Sequence, residues 1–210
     1  MRADLLHNCL SRLLPHVDTA RIALTGGVAI GLHLARHSGD RSRTASADDL
    51  DFVAESVNVI RPSVTREFLV SHFHLPQTGY PKFLVQLVDP VTCLRIDVFP
   101  DAARAVGRGR QIDIAGMPVL VLEPIDILAH KMRLLAISSS EAAAEEKHYL
   151  DATRLGALCG HDIQPMKASQ LVSTAYSTDL AGPCLRCEAS QCADFPLASR
   201  RAILDVLGYV

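Results

Sequence analysis

Asp49 and Asp51 stand one residue apart in Asp49-Leu50-Asp51-Phe52-Val53, an apolar run that reads as a strand. Side chains alternate faces along a strand, so both carboxylates point one way while Leu50 and Phe52 turn to the core. Two adjacent anions repel and lose solvation, and a cation between them relieves both costs. A donor set made only of oxygens favours Mg²⁺, with Mn²⁺ as its substitute, over zinc. Taken alone, the pair also fits a solvated edge or turn, because carboxylates are mostly exposed. Asp97 adds weight to the cation. It lies mid-strand in Leu94-Arg95-Ile96-Asp97-Val98-Phe99, on the face of Arg95 and Phe99 and opposite Leu94, Ile96 and Val98. If the two strands are neighbours, three carboxylates meet at one site. Two ions about 3.5–4 Å apart would there clamp a phosphoryl group during in-line displacement.

A glycine pair lies upstream. Arg21-Ile22-Ala23-Leu24 reads as a strand, Thr25-Gly26-Gly27 as a turn, and Val28 to Ala35 as a helix. Glycines let the backbone approach a ligand closely, and the first N–H groups of a helix suit a phosphate. A lone Gly-Gly is most often only a turn. The unit becomes specific when Asp-x-Asp on a strand and a further strand Asp follow it.

Gly26-Gly27-Val28-Ala29-Ile30, Asp49-Leu50-Asp51 and Asp97 resemble the signature of the nucleotidyltransferase superfamily, whose founder fold is that of DNA polymerase beta. The nearest branch is the abortive-infection toxin nucleotidyltransferases and their bacterial relatives. Glu123 to Lys131 resembles that branch's Lys-bearing helix, and Lys147 to Asp151 its later Lys-x-x-x-Asp. The resemblance spans about residues 20 to 157. It implies an α/β (α+β) fold, a mixed sheet flanked by helices with a helical C-terminal part. It also implies a reaction: transfer of a nucleoside monophosphate from a nucleoside triphosphate to an acceptor hydroxyl. In that reading Asp49 and Asp51 hold two Mg²⁺ ions with the triphosphate. Asp97 completes the second metal site and helps deprotonate the acceptor. Gly26, Gly27 and Lys131 bind the nucleotide phosphates. The acceptor can be RNA, a protein side chain or a small molecule. Val28 stands where a hydroxyl residue often follows the glycines, and Ala47 where Ser or Thr often precedes the first aspartate. The alternative is accordingly a catalytically degenerate relative, a binding or toxin–antitoxin type partner.

The elements that must position these residues follow from periodicity. Residues 3–15 form an amphipathic helix on Leu5, Leu6, Cys9, Leu10, Leu13 and Leu14. Pro62 to Phe73 reads as a helix with Pro near its start. Lys82–Val88 and Thr92–Phe99 form a hairpin about Asp89-Pro90, and Gln111–Ile114 and Pro118–Leu122 two strands about Gly116. From Glu123 the period turns helical, with Ile125, Leu128, Met132 and Leu135 as a stripe, and a new helix starts near Glu141 and runs to about Leu158. Pro165–Tyr176 and Arg201–Tyr209 read as further helices. Two parts are expected, an α/β core at 1–122 and a helical part at 123–210 carrying a cysteine-containing tail.

Composition fits this reading. Of 210 residues 49% are apolar, enough for a core, and the formal net charge is −2, which argues against a general polyanion binder. Arg36, His37, Arg41 and Arg43 precede Asp49, and Arg104, Arg108 and Arg110 follow Asp97. Both groups read as solvated loops or as attractors of triphosphate or RNA. No apolar run approaches the ~18 residues of a membrane span, and the N-terminus lacks a signal-peptide pattern, so a cytoplasmic location is expected. The histidines lack a metal-binding spacing. Cys184, Cys187 and Cys192 form C-x2-C-x4-C. They read either as three ligands of a structural zinc, with Cys159 or His161 as the fourth, or as free thiols. A zinc-stabilised interaction module is a third functional reading.

Overall fold

The computed structural model describes residues 3–39, 49–74, 83–101, 104–137 and 142–160. They divide into two compact units, Met1–Glu123 and Pro124–Val210. The helices expected at 165–176 and 201–209, and Cys184, Cys187, Cys192 and His161, lie outside the described residues.

In the first unit, α1 (Ala3–Leu13) buries Leu6, Cys9, Leu10 and Leu13, a spacing that places them on one helical face. A seven-stranded mixed sheet follows: β1 (Ile22–Thr25), β2 (Asp49–Ala54), β3 (Leu69–His74), β4 (Leu84–Val88), β5 (Arg95–Pro100), β6 (Arg110–Ile114) and β7 (Met117–Val121), in the order β3-β4-β5-β2-β1-β7-β6. β2 runs antiparallel to β1 and parallel to β5, and β7 runs parallel to β1. The hairpins β4–β5 and β6–β7 lie where the turn residues predict them. At the first of these turns, Asp89 is fully buried and accepts from the Val91 N–H at 3.0 Å and from the Thr92 hydroxyl at 2.7 Å. These are local bonds of the kind that make Asp a turn former. Arg12 of α1 reaches the same carboxylate at 3.2 Å, which ties the helix to the hairpin.

Two expectations change. The helix read across Pro62–Phe73 is a 3₁₀ turn, Pro62–Arg66, followed by strand β3. Val64 and Phe68 are buried four apart and so mimic a helical face, but Leu69, Val70 and Phe73 are exposed along an edge strand. The second change is at the glycines. α2 (Gly26–Ser38) begins at Gly26 itself, without an intervening turn, and ends on Gly39 in the left-handed region. Its residues from Gly26 to Gly31 are all buried, so it is a core helix rather than a surface one.

The second unit has two described helices, α3 (Pro124–Ile137) and α4 (Ala142–Leu158). Ile127, Leu128 and Met132 of α3 and Ala152 and Leu155 of α4 are buried. Among the described residues, no helix is long and apolar enough to cross a membrane.

Candidate metal centre

Backbone register determines which side chains meet. Asp51 lies opposite Asp97 across the parallel β2–β5 pair, and Asp49 opposite Arg95. Across β4–β5, Gln86 pairs with Asp97, and across β1–β2, Thr25 pairs with Asp51. Directly opposed residues share a face. Gln86, Asp97, Asp51 and Thr25 therefore form a lateral row on one side of the sheet, with Asp49 and Arg95 one step along. The other side takes Leu50, Phe52, Ile96 and Val98, all of them buried.

Asp49, Asp51 and Asp97 each offer a ligand atom, and these atoms lie within 4.8 Å of one another. Asp49 and Asp51 are half-buried and Asp97 is buried. The neighbours of the cluster define its electrostatics. Arg95 Nη2 donates to Asp49 Oδ2 at 2.7 Å, and Arg95 Nε lies 3.2 Å from Asp97 Oδ2. Gln86 Nε2 donates to the other Asp97 oxygen at 3.1 Å. The donor set is three carboxylates with no nitrogen or sulfur, which suits a hard divalent cation such as Mg²⁺ or Mn²⁺.

The start of α2 is built against this cluster. Gly26 has φ +64°, a left-handed conformation that costs any residue with a Cβ. A Cβ there would also overlap the Asp51 side chain, 2.6 Å from its Cγ. The backbone at Gly26 thus approaches the Asp51 side chain too closely to leave room for a Cβ. Thr25, the residue before the helix, makes no side-chain capping bond to it. The first N–H groups of α2 have no intrahelical acceptor, and they begin beside the acidic cluster.

Sequence reading brought Asp49, Asp51, Asp97, Gly26 and Gly27 together, and the structure gathers the three carboxylates with Gly26 against Asp51 and Gly27 next along α2. It did not single out Gln86 or Arg95. A polar Gln in the middle of Leu84-Val85-Gln86-Leu87-Val88, and an Arg two residues before Asp97 on the same face, were the available signals.

Lys131 belongs to the second unit. It is buried, lies 3.2 Å from Asp151 Oδ2, and approaches His148 Nδ1 at 3.4 Å. Desolvation, followed by the Lys131 charge, pushes the His148 pKa down to about 4. His148 is therefore neutral at pH 7 and its Nδ1 can accept from Lys131.

No family model matches the chain, and no curated protein matches it. Solved structures do. An antigenic nucleotidyltransferase-like protein from Paracoccidioides brasiliensis is 18% identical, the match covering 95% of this chain and 90% of that one, with a TM-score of 0.46. The Megavirus polyadenylate synthase is 10% identical over 84% of this chain and 38% of its own, with a TM-score of 0.49. JHP933 from Helicobacter pylori is 12% identical over 98% of this chain and 87% of its own, with a TM-score of 0.43. The structural neighbours include nucleotidyltransferase-like proteins.

Proposed function

We propose that the chain is a divalent-metal-dependent nucleotidyltransferase that moves a nucleoside monophosphate from a nucleoside triphosphate to an acceptor hydroxyl. The observation that carries this reading is the convergence of Asp49, Asp51 and Asp97, with ligand atoms within 4.8 Å, beside a helix that starts on glycine. Bound at these oxygens, Mg²⁺ ions would neutralise the triphosphate and make the acceptor hydroxyl more acidic.

The remaining work falls to the chain. Asp49 and Asp51 would hold the cations. Asp97, oriented by Gln86, takes the proton of the acceptor hydroxyl as the acceptor oxygen bonds to the α-phosphorus. The bond from that phosphorus to the bridging oxygen breaks, and pyrophosphate leaves. The N–H groups at Gly26 and Gly27, at the start of α2, would donate to phosphate oxygens. Catalysis of this kind rests on alignment and charge neutralisation.

The experiment is incubation of the purified protein with each α-labelled nucleoside triphosphate, Mg²⁺ and cell extract, followed by identification of what becomes labelled. Metal-dependent label lost in Asp97→Asn supports the reading. Nucleotide binding without label transfer supports the degenerate relative, for which Val28 in place of a hydroxyl residue after the glycines is the specific observation.

A further inference from the structure

The acidic cluster already has a cation at hand, supplied by the chain. The Arg95 guanidinium spans Asp49 Oδ2 at 2.7 Å and Asp97 Oδ2 at 3.2 Å. Its side chain is 52% exposed, whereas that of Asp97 is 8% exposed. The asymmetry matters. A guanidinium half in water gives up little when it lets go. A carboxylate with almost no water contact loses much when left without a counter-charge. Asp97 also has both oxygens engaged, Oδ1 by the Gln86 amide and Oδ2 by Arg95. An arriving divalent cation repels the guanidinium but not the neutral amide. Gln86 can therefore stay and keep Asp97 oriented, while Arg95 must leave the oxygens that a cation shared by Asp49 and Asp97 would need.

We propose that Arg95 is the resident counter-ion of the metal-free site, bridging Asp49 and Asp97 until a divalent cation displaces it. Arg95 is then a positioning residue that keeps the cluster assembled without metal and sets metal affinity by competition. The proposal rests on the reading of the three carboxylates as a metal centre.

The test is Mn²⁺ titration, followed by electron paramagnetic resonance, on the wild type, Arg95→Ala and Arg95→Lys, with thermal unfolding of each protein with and without Mn²⁺. Lys keeps the charge but cannot span two carboxylates. Both variants should bind Mn²⁺ more tightly than the wild type, Arg95→Ala by about threefold to tenfold from the loss of two partly exposed ion pairs. Without metal Arg95→Ala should melt below the wild type, with the gap closing at saturating Mn²⁺. Equal affinity in all three proteins overturns the proposal and leaves the metal centre standing. Tighter binding by Arg95→Ala alone, with Arg95→Lys like the wild type, also overturns it, because charge rather than the bridge would then set affinity. Absence of Mn²⁺ binding in every protein removes the metal centre and the proposal together.

Discussion

Gly26→Ala puts the contact between the first residue of α2 and the acidic cluster under direct test. The backbone at Gly26 has φ +64°, and holding a Cβ-bearing residue there costs about 1–2 kcal/mol. The added Cβ would also sit 2.6 Å from Asp51 Cγ and 2.7 Å from Asp51 Cβ, separations that real structures do not sustain. Relieving such overlap in a packed site costs about 1–3 kcal/mol. The expected loss is therefore about 2–5 kcal/mol, read by urea denaturation. The two parts separate in a series of backgrounds. With Asp51→Ala the Cγ contact disappears but the Cβ contact remains, so part of the overlap cost persists. With Asp51→Gly both disappear, and only the backbone part should be left. A cost below about 1 kcal/mol in the wild-type background, or the same cost in all three backgrounds, would refute the close approach of Gly26 to Asp51.

Further outcomes are expected. Asp49→Asn and Asp51→Asn should each abolish Mg²⁺-dependent nucleotide binding by calorimetry while leaving the metal-free fold intact by circular dichroism; binding indifferent to both changes would favour a non-catalytic partner. Lys131→Met should destabilise by about 3–5 kcal/mol, since the buried Asp151 would lose the Lys131 charge beside it, and adding Asp151→Leu should recover much of the loss in a denaturant titration. His148 should titrate by NMR near pH 4, below its ordinary 6.5, because desolvation and then the Lys131 charge oppose its protonation, with Asp151 pulling the other way. The unfolded chain binds this proton more readily, so the contribution of His148 is complete above pH 6.5 and is lost as pH falls toward about 4. His148→Asn should flatten the stability profile in that window.

The parts of the fold legible in the sequence are those where one physical signal dominates. Alternation in Asp49–Phe52 and Leu94–Val98 sets both strands and their faces, and the strand register brings the carboxylates side by side. Turn residues marked the hairpins at Asp89-Pro90 and Gly116. The Pro62–Phe73 segment misled because Val64 and Phe68 carry a helical spacing through a 3₁₀ turn, and an edge strand with exposed apolar residues on both faces has no alternation to read. Within the site, residue type identified the metal-ligating candidates. Arg95 and Gln86 give only weak signals in the sequence, and their place in the site comes from pairing across β2, β5 and β4, where their relevance lies in what they touch.

The central claim is that Asp49, Asp51 and Asp97 jointly hold the divalent cation that meets a nucleoside triphosphate. Crystals grown with Mn²⁺ and a non-hydrolysable triphosphate analogue, measured at the manganese absorption edge, test it most directly. The account predicts an anomalous peak within coordination distance of all three carboxylates, with the triphosphate running from it toward Gly26 and Gly27. A bound analogue whose metal lies elsewhere, or touches none of the three, would contradict it.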